Sequence, residues 1–399
     1  MPRQVNNYSI RRKIEQEPLW KSKQPRLLSL DIELTERCNN ACQHCYINRP
    51  MDDLQALSQE LSTTEWQTVI HQAAELGALS VRMTGGEPLL RPDFMELYLY
   101  TRRLGIRVQL FTNARRIDTT LVDMFGRIPP GEKIEITVYG MTSHSYEAAT
   151  CTPGSFEEYQ QGIELLLERN IPFMVKMALL PPNIAERPTF ETWQAGLPWP
   201  ENPPHFIVNF NLRGRRDSAN RNRLIRKLRI PAEDAAQIII SSEATRQELF
   251  QFCSHHMGPA GDLLFPCGAG QKGCVDAYGR YQPCMLLRKP GLSYDLRQGT
   301  LHEALTTFFP GLRSMRATNS AYLQHCAVCF LHGLCEQCPA KSWSEYGTLD
   351  TPVEHLCELA HAQARLLGLL GAGEHAWEVK NWQERIRKLP TSTNMNEIE

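Results

Sequence analysis

LLSLDIELTERCNNACQHCY, residues 27–46, carries a β-rich run straight into three cysteines. LLSLDIELT reads as a strand, and Cys38, Cys42 and Cys45 follow it with gaps of three and then two residues. Thiolates are soft ligands suited to zinc or to iron–sulfur clusters. A structural zinc site closes its tetrahedron with a fourth Cys or His. His44 is squeezed between Gln43 and Cys45, and no second ligand pair with finger-like spacing follows. Three sulfurs on a [4Fe–4S] cube leave one iron without a protein ligand, which is the vacancy a cofactor or substrate needs.

The chain around this loop has 399 residues, enough for two or three domains at roughly 100–200 residues each. Lys plus Arg is 43 and Asp plus Glu is 44, a formal net charge of -1, so no global pull toward nucleic acid or acidic membranes exists. The polar N-terminus lacks the apolar region of a secretory signal, and no stretch offers the ~20 apolar residues of a membrane span. A soluble, cytoplasmic protein without nucleic-acid or membrane partners is expected. Thirteen cysteines then call for metal or redox chemistry, because reducing compartments disfavour disulfides. Eleven fall in two groups, 38–45 and 267–357, leaving Cys151 and Cys253.

From 27 to 214 strand and helix patterns alternate. TTEWQTVIHQAAELG, PDFMELYLYTRRLG, IDTTLVDMFGRI and SFEEYQQGIELLLERN read as helices; LSVRMTGG, RVQLFTN, KIEITVYG, PFMVKMALL and HFIVNFNLRG as further strands. Six strands with helical crossovers predict an α/β fold, a partial (β/α)6 TIM-like barrel with ligands at the strands' C-terminal ends. The cysteine loop, the GGEP of 85–88, and Thr112 with Asn113 all fall on that rim. Beyond it come a basic run, a Cys- and Gly-rich region with a hairpin signal in DAYGRYQPC, a closing helix in TPVEHLCELAHAQARLLGLLG, and a polar tail, STNMNEIE, expected to be mobile.

The CxxxCxxC loop after a first strand, followed about forty residues later by GGEP, resembles the radical S-adenosylmethionine (radical SAM) enzymes. The resemblance implies S-adenosylmethionine on the open iron, its reductive cleavage to a 5'-deoxyadenosyl radical, and an electron donor such as flavodoxin or ferredoxin. Gly85, Gly86 and Glu87 match the stretch that binds the methionine amino group, Thr137 the ribose position and His44 the aromatic position beside adenine; Asn113 lies on the same rim. Where many relatives carry an arginine for the cofactor carboxylate this chain has Thr150, so another residue would have to supply the charge, and Lys176 on the fifth strand is the expected candidate.

The rear cysteines resemble the SPASM domain appended to many of these enzymes: Cys267, eleven residues, Gly279, four residues, Cys284, then Cys326, Cys329, Cys335, Cys338 and Cys357. The final gap, between Cys335 and Cys338, is two where three is usual. With Cys274 the resemblance implies two auxiliary [4Fe–4S] clusters, the first on Cys267, Cys274, Cys284 and Cys338, the second on Cys326, Cys329, Cys335 and Cys357. Paired zinc sites are the alternative, since CAVC followed by CEQC would serve a zinc ribbon. The expected division is an N-terminal extension (1–26), the barrel (27–214), a basic helical linker (215–252), the C-terminal Cys-rich iron–sulfur (SPASM) domain (253–371) and a tail (372–399).

SPASM enzymes mostly act on polypeptides, so the resemblance implies hydrogen abstraction from a ribosomally made peptide or protein, ending in a crosslink, thioether, epimerised centre or oxidised residue. A sulfatase maturase is disfavoured because Met285 stands where those relatives place a basic aspartate. A tetrapyrrole-tailoring enzyme would use the same cysteines, and a non-catalytic zinc or electron-transfer protein is the rival outside enzymes. The thirty-seven residues before Cys38 are too few for a winged-helix leader-binding module, so a separate recognition protein or direct docking is expected. RGRRDSANRNRLIRKLR (213–229), with eight bases and one acid, is either a site for an acidic peptide segment or a solvated helix between domains.

Overall fold

The computed structural model describes residues 27–201 and 203–390. The extension 1–26 and the polar tail lie outside the described residues. Six parallel strands come in sequence order across one sheet: β1 Ser29–Thr35, β2 Ser80–Gly85, β3 Arg107–Thr112, β4 Ile134–Val138, β5 Phe173–Ala178 and β6 His205–Ile207. Between them run α1 Thr63–Glu75, α2 Phe94–Arg103, α3 Thr119–Arg127, α4 Ser143–Thr150, α5 Ser155–Glu168 and α6 Arg187–Ala195. The α/β partial barrel expected from the alternation is therefore present.

Several of these helices start where a side chain meets otherwise orphaned N–H groups. Ser62 and Glu65 form a capping box at α1, Asp118 accepts from Leu121 N–H at α3, and Thr142 caps α4. Apolar periodicity does not announce α4: SHSYEAAT is short, polar and weakly periodic, and its cap and packing decide it.

The two faces of the sheet differ. Ile32, Val81, Met83, Val108, Leu110, Ile134, Ile136, Val138, Val175 and Met177 are sealed beneath the helices, each side chain contributing about 1.5–3 kcal/mol by burial. The alternate residues face the barrel interior. In-register neighbours Asp31, Arg82 and Gln109 share this face, as do Phe111, Glu135, Thr137 and Lys176. Arg82 donates to Asp31 at 3.1 Å and to Gln109 at 3.1 Å, and Lys176 pairs with Glu135 at 2.8 Å. The lumen is thus a polar, charge-paired chamber.

The sheet continues past β1 on its other side. Three strands from the Cys-rich region, β7 Cys274–Val275, β8 Arg280–Gln282 and β9 Tyr294–Asp295, extend it to nine strands. β7 runs parallel to β1 with Asp31 opposite Cys274 and Ile32 opposite Val275. β7 and β8 are the hairpin signalled by DAYGRYQPC.

The basic run folds as a connector, and most of its guanidiniums are paired within the chain while Arg223, Arg226 and Lys227 stay exposed. It leads into α7 Ala219–Leu228. Arg213 chelates Asp217 with two 2.7 Å bonds, Arg216 donates to Trp343 O and Ser344 O, Arg221 to Cys42 O, and Arg226 and Arg229 pair with Glu345. Arg215 enters a buried cluster, donating to Glu36 at 2.6 Å and Asp276 at 3.1 Å. There Arg288, fully buried, binds both oxygens of Glu33 and reaches Glu36 at 3.0 Å. Burial pushes Glu33 up to about 7 against the pull of Arg288. Burial also pushes Glu36 upward, but Arg288 and Arg215 more than offset it and hold the carboxyl below its usual range. The cluster bolts β1 to the connector and to the Cys-rich region.

Candidate functional site

β1 ends at Thr35, and the chain then turns beneath β2. Gly86 N–H donates to Thr35 O at 2.7 Å and Glu87 N–H to Arg37 O at 2.9 Å. A Cβ on Gly85, whose φ is +133°, would lie 2.1 Å from Thr35 O, and one on Gly86 would lie 2.3 Å from Arg37 O. Absent side chains therefore let the segment leading to Cys38 pass against the end of β2. Glu87 lies just beyond, fully buried. It accepts from Thr112 Oγ1 at 2.8 Å, Leu89 N–H at 3.1 Å and Asn113 N–H at 2.8 Å. Burial pushes its carboxyl up to about 7 while these donors favour the ionised form.

The cysteine loop lies over this junction. Cys42 is buried, and Cys38 and Cys45 are partly so. Burial first, then Cys38 and Cys45, drive the Cys42 thiol far above its ordinary range. Asn40 N–H points at Cys38 Sγ at 3.4 Å, Asn113 Nδ2 at the same sulfur at 3.8 Å, and Asn48 N–H at Cys45 Sγ at 3.4 Å. Ala41 N–H donates to Thr150 O at 2.9 Å, so Thr150 is a buried anchor for the loop.

Two arginines that motif spacing does not reveal clamp the loop. Arg115 donates to Asn39 O and to Asn40 Oδ1 at 2.6 Å, and Arg221 to Cys42 O at 2.8 Å and Asn48 Oδ1 at 2.7 Å. The signal for Arg115 is its place directly after the rim residues Thr112–Ala114. Its aim depends on Ala114 adopting φ 64°, which composition does not reveal.

His44 sits against Tyr139, with ring centroids 5.4 Å apart, and Phe210, at 5.1 Å. Burial, with Arg221 nearby, pulls it down to about 4, so the ring is neutral near pH 7. Among the described residues, Asn39 Nδ2, Asn40 Nδ2 and His44 Nδ1 are buried without a partner. Three gathered thiols ringed by unused polar groups fit an iron–sulfur cluster carrying a further polar ligand. Thr137 and Lys176 lie side by side across β4 and β5, inside the barrel. Lys176 is engaged by Glu135 and stands 5.7 Å from the Phe111 ring.

The rear cysteines form two gatherings. Burial, then Cys338 and Cys267, push Cys284 up to about 11. Burial, then Cys357 and Cys329, push Cys326 up to about 12, and Cys357, Cys329 and Cys326 all act on Cys335. Cys274 stands elsewhere. Fully buried on β7, its thiol is raised by burial first and then chiefly by Glu33 and Asp31. Among the described residues no three His, Cys, Asp or Glu side chains form a ready-made single-ion site. All-thiol groups of three and four are a donor set suited to clusters.

The α/β fold of this chain is similar to that of the solved structure "Native anSMEcpe with bound AdoMet". The TM-score is 0.61 at 15% identity, covering 84% of this chain and 96% of that one. Residues 32–191 match the model of the Radical SAM superfamily. Over 168 residues the chain is 32% identical to an AdoMet-dependent heme synthase of Methanosarcina barkeri, covering 42% of this chain and 46% of that protein. Over 161 residues it is 31% identical to a PqqA peptide cyclase of Gluconobacter oxydans, covering 40% and 44%. The chain spans about half the length of the curated relatives it matches. Among the described residues no helix is long and apolar enough to cross a membrane.

Proposed function

We propose that this protein is a radical SAM enzyme that modifies a ribosomally made peptide or protein in the cytoplasm. Cys38, Cys42 and Cys45 would hold the [4Fe–4S] cluster; when bound, it supplies the electron that splits S-adenosylmethionine to a 5'-deoxyadenosyl radical. The observation that carries this reading is the three-thiol loop at the end of β1, walled by His44, Tyr139 and Phe210 and ringed by unpaired Asn39, Asn40 and His44 groups.

The chain's own residues orient and protect. Asn40, Asn48 and Asn113 donate to the sulfurs, Arg115 and Arg221 fix the loop, and Glu87, Gly85 and Gly86 would hold the methionine amino group. Thr137 and Lys176 present polar groups inside the barrel, where a reacting substrate residue would be shielded from bulk water. A peptide substrate is supported by the likeness to PqqA peptide cyclase together with the two rear thiol groups; a separate leader-recognition protein and a flavodoxin or ferredoxin donor complete the reading. We assign Cys326, Cys329, Cys335 and Cys357 to one auxiliary [4Fe–4S] cluster and Cys267, Cys284 and Cys338 to another, with Cys274 as its fourth ligand by motif position. The placement of Cys274 beside Asp31 and Glu33 favours a second version, in which that cluster keeps one iron open to a substrate thiol. The likeness to a heme synthase favours a tetrapyrrole as the competing substrate.

The test is anaerobic reconstitution with iron and sulfide, then dithionite and S-adenosylmethionine. Release of 5'-deoxyadenosine that disappears in Cys42→Ala supports the enzyme; tight zinc without cofactor cleavage refutes it. Incubation with peptides encoded beside the gene, or with a porphyrin, separates the substrates by mass spectrometry.

A further inference from the structure

Cys326, Cys329, Cys335 and Cys357 line a cavity of about 660 Å³. Cys357 lies on α8, Glu354–Leu366, and His361 follows it by one turn, buried. The backbone N–H of Ala376 donates to His361 Nε2 at 3.1 Å. Nε2 is thus the acceptor, and in the neutral ring the proton resides on Nδ1. Nδ1 stands 2.8 Å from Cys357 O and 3.6 Å from Cys357 Sγ. The carbonyl accepts the helix's own i→i−4 bond and has a second lone pair for Nδ1–H, and the sulfur lies close enough to share that proton as the other acceptor of a three-centre bond.

The ring is held there by an aromatic lid. Trp377 meets His361 edge-on at 5.3 Å and is itself stacked between His325, at 4.6 Å, and His375, at 4.5 Å. That lid limits water's access to the Nδ1–H, and with it the competition for the proton.

We propose that His361 is a positioning residue for the rear auxiliary cluster: pinned by Ala376 N–H, its Nδ1–H donates to Cys357 Sγ and raises the reduction potential of the cluster that this thiolate ligates. The inference rests on the reading that these four cysteines hold a cluster. An N–H bond to a ligating sulfur withdraws electron density from it and favours the reduced cluster, as hydrogen bonds to cluster sulfurs do generally.

The experiment is a redox titration of the reconstituted full-length protein, followed by electron paramagnetic resonance, with iron measured on each sample. His361→Gln keeps an acceptor for Ala376 N–H but withdraws the donor from sulfur, and its rear-cluster signal is expected to shift to lower potential at unchanged iron content. His361→Asn, which places an amide N–H near the Nδ1 position, is expected to restore the wild-type value. An unmoved potential in His361→Gln with full iron overturns the proposal. So does loss of one cluster's iron in that variant, which would mark the ring as structural. Cys329→Ala tests the underlying reading separately: unchanged iron there shows that no cluster sits in the cavity.

Discussion

At Gly86 a methyl group would stand 2.3 Å from Arg37 O and 2.6 Å from Glu36 O, and both are backbone atoms that yield only if the cysteine loop moves. Gly86→Ala is therefore expected to cost about 1–3 kcal/mol, the usual range for overpacking, read by urea unfolding, and to lower iron retained at the front loop. The two leftover cysteines invite a chemical check. Cys151 is exposed and Cys253 buried, and burial pushes the Cys253 thiol up to about 12. Only thiolate reacts, so at pH 8 about one Cys253 in 10⁴ is reactive, rising tenfold per pH unit until about pH 12. Iodoacetamide labelling of the folded protein, mapped by peptide mass spectrometry, should mark Cys151 and spare Cys253. At this scale spacing alone singles out Cys38, Cys42 and Cys45 as the proposed ligand set. It is silent on Arg115, whose aim depends on one left-handed alanine, and on Arg221, which reaches the loop from 179 residues away.

The connector shows what charge counting along a chain misses. Eight bases in seventeen residues suggest a ligand surface or a solvated helix, yet most of these guanidiniums find carboxylates and carbonyls on elements distant in sequence. Arg288 is the centre of that arrangement, and its side chain has no solvent exposure. Arg288→Met would leave Glu33, Glu36 and Asp276 short of a buried cation, and breaking such a set by removing one partner typically costs about 3–5 kcal/mol. Denaturant unfolding should show that loss, whereas Arg223→Ala, on an exposed position bonded to Asn220 within the same helix, should move stability by less than about 0.5 kcal/mol. A pH-independent deficit as small for Arg288→Met as for Arg223→Ala would mean the cluster is solvated rather than sealed.

Across the whole molecule, the alternation of apolar runs and turns is enough to give the six-stranded barrel, because each crossover is local. The hairpin of β7 and β8 is signalled locally, but its addition to the sheet is not legible, because the pairing of β7 with β1 joins residues far apart in the chain. It follows that residues 27–214 alone expose the edge of β1 and bury Glu33 and Glu36 without Arg288. That truncated piece is expected to aggregate or lose cooperative unfolding, whereas the full chain should melt without a separate transition for its front half, as circular dichroism and size-exclusion chromatography would report.

The parallel pairing of Ile32 with Val275 also sets a clock on biosynthesis. About 240 residues must leave the ribosome after the first strand before its neighbour exists, roughly 12–50 s at ordinary translation speeds of about 5–20 residues per second. Throughout that interval the first strand of the nascent chain lacks its partner on this side, so the completed sheet can form only late in synthesis.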